Sequence, residues 1–406
     1  MTSVKENNEK KAIIISYYYH YHDKNIRTGS PAAGTVINYM AEVLNDLGYQ
    51  VEIISPSWII DAKEKGIYAA QKVEITPCCV LKKAPSIAAE GRLINLLNKF
   101  LSRIWIMKEL FFSVKKEDTV FVYHEPTLML PISLYKKTHE HRICMIAEEL
   151  YSDIPKFSKL NKNKEIQYLQ SFPDAYVFPT VLLNDTINKD NEKPYVIVHG
   201  TYHAEKEYRS DRDTEKIHVV YAGTLNQTKG GAAAAAATAE YLTEKYHIHI
   251  IGFGTEEEKE DIIARIEHVK AKTKCSVSFD GVKLGEEYTR FIQKCDIGLS
   301  VQNPDASYNE TSFPSKVLSY LSNGLRVVSI RIKALETSAV NELISYYDHQ
   351  DPKEIAQAIM KIRMNESCDS RSVIKRLNDE THESIKTVLE GLQYDRSRAK
   401  KNKRRR

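Results

Sequence analysis

The sequence predicts an α/β protein of two domains, each a doubly wound parallel sheet covered by helices. Three observations predict this class. The chain has 406 residues, which is enough for more than one core. Short apolar runs rich in β-forming residues alternate with segments of helical periodicity. Loops that contain glycine follow several of these runs, as they do where a parallel strand leads into a helix.

The first half opens with a βαβ unit. A strand is predicted at Ala12–Ser16, then a loop with Gly34, a helix whose apolar positions lie between Val36 and Leu47, and a strand at Val51–Ile54. Further strands are predicted at Val73–Ile75, Thr119–Tyr123, Ile143–Ala147, Ala175–Phe178 and Tyr195–Val198.

The second half repeats the alternation after the polar stretch Glu205–Lys216. Strands are predicted at Ile217–Tyr221, Ile248–Ile251, Val277–Phe279, Ile297–Val301 and Arg326–Ile330. Helices are predicted at Ala232–Glu244, Glu256–Lys272, Glu286–Lys294, Lys316–Ser322, Pro352–Met364 and Arg371–Leu392. We therefore expect an N-terminal domain over 1–204, a C-terminal domain over 205–370, a terminal helix over 371–395 and a disordered basic tail over 396–406.

Charge and cysteine usage exclude several classes of protein. The net charge is +4, but eight Lys or Arg lie in the last eleven residues; without them, 50 basic residues stand against 54 acidic ones. The folded part is therefore not a strongly basic nucleic-acid binder. The six cysteines form no C-x-x-C pair, which argues against a zinc finger, and free thiols suit a reducing cytosol. The chain has no apolar signal segment or membrane-spanning run, so we expect a cytoplasmic protein.

Two loops of the second half could bind an anion. One runs from Gly223 to Gly231 and contains Lys229; the other, with Ser312, Ser315 and Lys316, opens a helix. Hydroxyls, free amides, the helix dipole and an ammonium group all favour negative charge at such a position. A tight turn and an ordinary capped helix explain the same residues without a ligand. Taken together, the two loops favour a diphosphate, as in a nucleotide sugar.

The second half resembles the donor domain of the glycosyltransferases of family 4, in particular a bacterial surface polysaccharide subgroup with Phe-Pro-Ser-Lys. The resemblance rests on an ordered series of short motifs: Val219–Leu225 with Lys229–Gly231, Ile250–Gly254, Val277–Gly281, Cys295–Ser300, Ser312–Lys316 and Leu321–Val328. It implies the GT-B architecture, in which two Rossmann-like domains flank an interdomain cleft. It also implies that the terminal helix packs back on the first domain.

The resemblance implies roles for individual residues. The diphosphate would be held by Gly223, Thr224, Lys229, Ser312, Ser315 and Lys316. The nucleoside would be bound by Gly252, Gly281, Val282 and Ser319. Gly34 would lie in an acceptor-side loop. Thr224 stands where many members have Arg, and Ser319 where they have a Glu that binds the ribose. Glu310 is then the best candidate for the donor-side carboxylate.

The first half offers candidate acceptor-side residues at predicted strand ends. His124 follows one strand and Glu149 the next, and either could orient or deprotonate an acceptor hydroxyl. Alternatively, His124 caps a loop and Glu149 pairs with a basic residue. We expect no metal at the active site and no cofactor besides the nucleotide sugar, since this architecture usually needs none.

A basic and apolar segment over 82–116 points to lipid. It holds eight basic and two acidic residues, and its apolar positions, which include Trp105 and Phe112, fall on one helical stripe. Such a helix can lie in a membrane interface, and the basic tail could add attraction to anionic lipid. A core-facing helix and a functionally silent tail are the alternatives. Lipid contact would place the protein on the inner face of the plasma membrane.

These observations predict a retaining, metal-independent glycosyltransferase. It would move a sugar from a nucleotide diphosphate to a glycan or a lipid-linked oligosaccharide in bacterial cell-surface polysaccharide synthesis. Two alternatives stay open. A nucleotide-sugar 2-epimerase of the same architecture would form product from donor alone. A non-catalytic nucleotide-binding partner of a glycosyltransferase would bind the donor without turnover.

Overall fold

The computed structural model describes residues 10–404, with gaps in the description at 19, 21–22, 24, 155–156, 158, 190–191, 209–214, 227–229, 304–308 and 310; side chains are described as far as Leu392. The chain divides into two compact units. Unit 1 extends to Pro179, resumes over Leu183–Thr201 and includes the chain from Thr381 onwards. Unit 2 comprises Thr180–Leu182 and Tyr202–Glu380.

The strands of unit 1 are β1 (Lys10–Ile15), β2 (Ile26–Arg27), β3 (Tyr49–Ser55), β4 (Ile59–Asp61), β5 (Gly66–Tyr68), β6 (Gln71–Thr76), β7 (Cys79–Lys83), β8 (Ser86–Ala88), β9 (Thr119–Tyr123), β10 (Ile143–Ile146), β11 (Ala175–Phe178) and β12 (Tyr195–Ile197). Eight of them form one sheet in the order β12-β11-β10-β9-β1-β3-β7-β6. Neighbours in this sheet are parallel except β6 and β7. β2 pairs with β4 and β5 with β8, both antiparallel.

The helices in this half of the chain are α1 (Pro31–Asp46), α2 (Arg92–Phe112), α3 (Met129–Thr138), α4 (Lys162–Ser171) and α5 (Val181–Ile187). The central strand β1 is apolar throughout its second half, and Ile13, Ile14 and Ile15 are fully buried. A strand buried on both faces has such a continuous apolar run because helices cover both sides of a parallel sheet. The core formed by the sheet and these helices includes Ile106 and Leu169.

Unit 2 contains strands β13 (Ile217–Thr224), β14 (Tyr246–Phe253), β15 (Ser276–Phe279), β16 (Ile297–Ser300), β17 (Arg326–Ile330) and β18 (Ile344–Tyr347). They form one parallel sheet in the order β15-β14-β13-β16-β17-β18. Its helices are α6 (Gly231–Thr238), α7 (Glu256–Lys270), α8 (Gly285–Ile292), α9 (Ser315–Ser322), α10 (Lys333–Glu336) and α11 (Pro352–Met360). The last helix, α12 (Ser370–Arg404), begins in unit 2 and is part of unit 1 from Thr381.

Both sheets are doubly wound, as the sequence predicts. In unit 2 the chain builds outward from β13 through β14 and β15, and then restarts on the other side of β13 with β16. In unit 1 the same reversal lies between β1 and β9. The crevice beyond the carboxyl ends of the strands at such a reversal is where open α/β sheets bind ligands. The two loops predicted to bind an anion follow β13 and β16.

Several elements differ from the sequence prediction. The short strands β2, β4, β5, β7, β8 and β18 were not predicted; β18, for example, reads Ile-Ser-Tyr-Tyr, which is neither a continuous apolar run nor a strict alternation. The alanine-rich helix α6 ends at Thr238 rather than Glu244, since the chain is extended at Leu242 before it enters β14. Gly34 lies within α1, whose first residue is Pro31, and not in a loop. α12 continues through Arg404, into the tail for which disorder was expected.

Candidate active site

The end of β13 and the start of α9 meet in unit 2. Lys316, in the first turn of α9, places its Nζ 3.1 Å from the position that a Cβ on Gly223 would occupy. The same Nζ lies 4.4 Å from the centroid of the Tyr221 ring, a cation–π contact. Two loops that the sequence could connect only by resemblance are therefore adjacent in space, with a cationic group between them.

Glycine is required at the ends of two adjacent strands. Gly223 of β13 is paired in register with Gly252 of β14. A Cβ on Gly252 would lie 1.7 Å from the carbonyl oxygen of Gly223, and the φ angle of 152° is one that side chains rarely adopt. Gly231, at the start of α6, would bring a Cβ within 2.6 Å of the Tyr221 hydroxyl. Because these positions are glycines, the backbone is not covered by their side chains at the end of β13.

Tyr320 fixes α9 against the sheet. Its ring is fully buried over Gly298 of β16, where a Cβ would lie 2.2 Å from the ring. Its hydroxyl accepts a hydrogen bond from the Ala222 amide at 2.9 Å and donates one to the Leu299 carbonyl at 3.3 Å. Burial raises the pKa of this phenol well above its usual range, so it stays protonated and can donate. α9 is thereby attached to both strands that flank the chain reversal.

The electrostatics of this corner favour an anion. The amino end of α9 carries the positive end of the helix dipole. Ser315, its first residue, is exposed, and the Lys316 ammonium lies beside it. Burial raises the pKa of Tyr221 to about 12, which keeps this phenol neutral next to Lys316. An amide-rich helix end with an adjacent cation is a common phosphate-binding arrangement.

The other predicted donor-side residues lie around this corner or beyond it. Thr224 is the last residue of β13, and its carbonyl accepts from the Tyr221 hydroxyl at 3.2 Å. Ser312 is half-buried just before α9. The Ser319 hydroxyl lies 2.9 Å from that of Tyr288, so these two side chains are paired.

Gly281 and Val282 follow β15, the edge strand, and Val282 is exposed. Gly281 has a φ of 76°. Its carbonyl accepts a hydrogen bond from the Gly252 amide, which attaches the loop after β15 to β14. Lys229 and Glu310 lie outside the described residues, so their predicted roles stay predictions. The Thr311 hydroxyl is buried without a hydrogen-bond partner among the described atoms.

In unit 1, His124 is buried and not exposed to an acceptor. It follows β9 and is 1% exposed, and its Nε2 lies 2.7 Å from Oε1 of Glu165, which is fully buried. Glu165 also accepts from the amides of Tyr151 and Ser152. Burial raises the pKa of Glu165, but the bonds from His124 and Ser152 outweigh that effect and lower it. The structure shows His124 as the buried partner of Glu165, and its predicted contact with an acceptor stays a prediction.

Three glutamates gather at the ends of β9 and β10. Glu125 accepts from the amide of Thr127 at 2.9 Å, while Glu148 and Glu149 are half-buried after β10. Burial, and then the charge of Glu149, raise the pKa of Glu148 to about 8. Glu148 therefore has a pKa that suits a general base near neutral pH, whereas Glu149 was the residue predicted for this role.

The apolar stripe of the segment over 82–116 is partly buried in the core of unit 1 and partly exposed to solvent. Trp105 is 9% exposed and, with Ile106 and Leu110, belongs to the core. Leu93 and Phe112 are 81% and 84% exposed. Further exposed apolar side chains on α2 are Leu96, Leu97, Phe100 and Ile104. The exposed face also carries Arg92, Arg103 and Lys108.

Two groups of residues were missed by sequence reasoning. Glu165 carries no local signal, because a glutamate on a helix is ordinarily a solvent-exposed residue. His218, His247 and His249 cluster on neighbouring strands. The i, i+2 spacing of His247 and His249 on a predicted strand was the available signal, since it places both on one face.

Comparisons with known proteins agree with this architecture. The family described as glycosyl transferases group 1 matches residues 216–365. No curated protein sequence matches the chain. Many solved structures do. They include an α,α-trehalose 6-phosphate synthase from Burkholderia multivorans, with a TM-score of 0.66, 11% identity and coverage of 97% of this chain and 98% of that one.

Two further solved structures match the chain at similarly low identity and over nearly the full length of both chains. The sucrose-phosphate synthase of Thermosynechococcus elongatus gives a TM-score of 0.62 at 11% identity and covers 97% of this chain and 98% of its own. A trehalose-6-phosphate protein from E. coli, bound with UDP-2-fluoro glucose, gives 0.62 at 10% identity and covers 94% and 99%. The predicted fold of two Rossmann-like domains is confirmed. The family model matches a segment of unit 2 only, and the prediction of a glycosyltransferase enzyme is confirmed.

Proposed function

We propose that this chain is a retaining glycosyltransferase that takes its sugar from a nucleotide diphosphate. Its acceptor is a glycan or lipid-linked oligosaccharide of bacterial surface polysaccharide synthesis. We infer further that it belongs to the Phe-Pro-Ser-Lys subgroup of family 4. One observation carries the proposal: the ammonium of Lys316, a residue in the first turn of α9, lies 3.1 Å from the position of a Cβ on Gly223, at the end of β13.

The donor diphosphate fits the chemistry of this corner. Gly223 and Gly252 expose backbone where a side chain would block approach, and Lys316 supplies positive charge. The UDP-sugar bound by the E. coli neighbour supports a nucleotide sugar as ligand. Gly281, Val282 and Ser319 remain the predicted contacts of the nucleoside. Lys229 and Glu310 would add a second cation and a carboxylate.

In the proposed reaction the enzyme stabilises the leaving group, a nucleotide diphosphate. As the sugar–phosphate bond breaks, negative charge builds on the diphosphate, and donors fixed in advance stabilise it most in the transition state. Lys316 and the dipole of α9 serve this purpose, so the proposed step is assigned to protein groups and needs no bound metal or cofactor. Glu149 or its neighbour Glu148 would orient or deprotonate the acceptor hydroxyl, and His124 would hold the nearby loop through Glu165.

The exposed face of α2 supports an acceptor held at a membrane. Leu93, Phe100 and Phe112 are large, apolar and exposed, and Arg103 and Lys108 lie among them. Such a face suits an interface of anionic lipid, where apolar insertion and charge act together. Among the residues that the structure describes, no helix is long and apolar enough to cross a membrane. The proposal is therefore contact with the surface of the inner leaflet.

The donor site is tested with Lys316→Ala. Loss of a hydrogen bond to a charged group costs about 1.5–3 kcal/mol, so donor use should fall about 10- to 100-fold. Lys353→Ala is the matched control, because Lys353 is an exposed lysine in the first turn of another helix of unit 2, α11. Each variant is assayed by mass shift with a panel of nucleotide sugars, with and without lipid-linked oligosaccharide and sugar-phosphate acceptors. Lys316→Ala activity within about twofold of wild type would contradict the assignment.

The same panel separates the alternatives. Isomerised sugar nucleotide formed without acceptor would indicate the 2-epimerase. Donor binding with no turnover on any acceptor would indicate a non-catalytic partner. Transfer that survives chelation of divalent cations is expected, and transfer abolished by chelation would overturn the proposal of a metal-independent step.

The membrane proposal is tested by sedimentation with vesicles. Leu93→Ser with Phe112→Ser should weaken binding to anionic vesicles even at high salt, because insertion of apolar groups is not screened. Ile263→Ser, at an exposed apolar position of α7 in unit 2, is the control. Trp105→Ala should instead destabilise unit 1 by about 3–5 kcal/mol, since Trp105 is core. Equal binding of the folded Leu93/Phe112 variant and wild type would refute lipid contact through α2.

A further inference from the structure

Three histidines meet on one face of the sheet of unit 2. His218 of β13 is paired in register with His247 of β14, and His249 lies two residues further along β14, on the same face. One ring nitrogen of each can be chosen so that all three lie within 4.8 Å of one another. The closest pair is Nδ1 of His218 and Nε2 of His249, at 2.9 Å.

We propose that His218, His247 and His249 bind a divalent transition-metal ion such as Zn²⁺. Imidazole nitrogens are preferred ligands of zinc, which three histidines hold at about 2.0–2.1 Å with a fourth position left for water. Two strands of a rigid parallel sheet already hold the rings together. An ion would replace the present contact between His218 and His249, whereas the bonds of His247 Nε2 to the Ser278 hydroxyl and of His249 Nδ1 to Asp280 can persist.

Asp280 completes the arrangement from the neighbouring strand. It follows β15, and its Oδ2 lies 3.1 Å from Nδ1 of His249. Nε2 of His249 would then ligate the metal in place of its present 2.9 Å contact with Nδ1 of His218, and Asp280 would be the carboxylate that orients a ligating histidine and increases its basicity. The Ser278 hydroxyl donates to the same carboxylate at 2.8 Å, which fixes it in turn.

The charged groups near the cluster are one cation and one anion. Lys216, whose Nζ lies 2.6 Å from the Ser276 hydroxyl, is a nearby cation and disfavours a bound metal ion. The negative charge of Asp280 favours the ion and so offsets the effect of Lys216. His218 and His247 are half-buried, so an ion can enter from solvent.

The proposed ion is structural rather than catalytic. His218 precedes Gly223 by five positions along β13, which is about 16 Å at the rise of a β-strand. The ion would join β13 to β14 and, through Asp280, to the loop after β15. We therefore expect it to stabilise unit 2 while the donor chemistry proceeds at the opposite ends of the strands.

The test is metal binding by the purified, metal-free full chain. Titration with Zn²⁺ should show one equivalent bound, and the melting temperature should rise with the Zn²⁺ concentration, because an ion that binds only the folded state stabilises it. Co²⁺ should give the visible absorption spectrum of a nitrogen-ligated tetrahedral site. His247→Gln and His249→Gln should each weaken Zn²⁺ binding by at least about tenfold, the smallest loss typical of removing even an outer partner.

Matched variants keep the test decisive. His268→Gln, at an exposed histidine of α7, should bind Zn²⁺ as wild type does. Asp280→Asn, which keeps the side-chain shape, should weaken binding without unfolding the chain, as circular dichroism of the metal-free protein will check. No stoichiometric Zn²⁺ binding by wild type would overturn the proposal, and so would binding unchanged in folded His247→Gln and His249→Gln. Glycosyl transfer is not the readout, so this outcome is independent of the proposed function.

Discussion

Gly298 tests how α9 is held in place. A methyl group at this position of β16 would lie 2.2, 2.3 and 2.7 Å from three carbon atoms of Tyr320. Carbon atoms in contact lie about 3.5–4.0 Å apart, so Gly298→Ala forces the buried ring to move by about 1 Å or more. Tyr320 belongs to α9, and Lys316 is one turn away on the same helix. Gly298→Ala should therefore shift the candidate donor site.

The energetic cost follows from two contacts. Overpacking of a core costs about 1–3 kcal/mol. Movement of the Tyr320 hydroxyl also breaks its 2.9 Å bond from the Ala222 amide, and an unsatisfied buried donor costs about 1–3 kcal/mol. We therefore expect Gly298→Ala to destabilise the chain by at least about 2 kcal/mol in urea unfolding, and to weaken donor binding.

A double-mutant cycle isolates the cause. In a Tyr320→Ala background the ring contacts at 2.2 and 2.3 Å are gone and only the 2.7 Å contact with the Cβ of residue 320 remains, so adding Gly298→Ala should cost clearly less than it does in wild type. Gly391→Ala is the matched control, because Gly391 lies in α12 with nothing within 4 Å of a Cβ. That change should stabilise the helix by about 0.5–1 kcal/mol. An equal cost of Gly298→Ala with and without the Tyr320 ring would refute the reasoning.

Three further predictions concern substitutions of Gly252, Glu165 and Glu148. Gly252→Ala places its Cβ 1.7 Å from the Gly223 carbonyl oxygen, so it should abolish donor binding or folding of unit 2, as donor titration and circular dichroism will show. Glu165→Leu removes one partner of the buried pair with His124 and should destabilise unit 1 by about 3–5 kcal/mol in urea unfolding; a loss below 1 kcal/mol would contradict the pairing. The pKa of Glu148 is raised to about 8 from 4.5, so the folded state binds more protons than the unfolded state across that interval. Its contribution to stability should therefore be lost as pH rises from about 4.5 to about 8, and Glu148→Gln should flatten that part of the pH–stability curve.

The sequence alone determined the alternation of strands and helices. β9, β11 and β17 have the predicted limits, because a strand of a parallel sheet is buried on both faces and forms a continuous apolar run. The start of α9 was equally local, since the predicted helix Lys316–Ser322 differs from Ser315–Ser322 by one residue. β18 and the helical state of Gly34 were not determined locally, because the sequence of β18 is neither a continuous apolar run nor a strict alternation, and glycine is ordinarily a loop residue.

Which side chains meet was decided by the tertiary structure. Trp105 and Phe112 lie on one apolar stripe of sequence, yet the first is core and the second exposed, because the helical period gives the apolar face and not what covers it. His218 and His247 are 29 positions apart and meet only because the register of β13 and β14 makes them neighbours. His124 follows a predicted strand, but its contact with Glu165, 41 positions away in the chain, could not be predicted from the sequence. Pairing across strands depends on register and topology, and these are properties of the whole sheet rather than of any local run of residues.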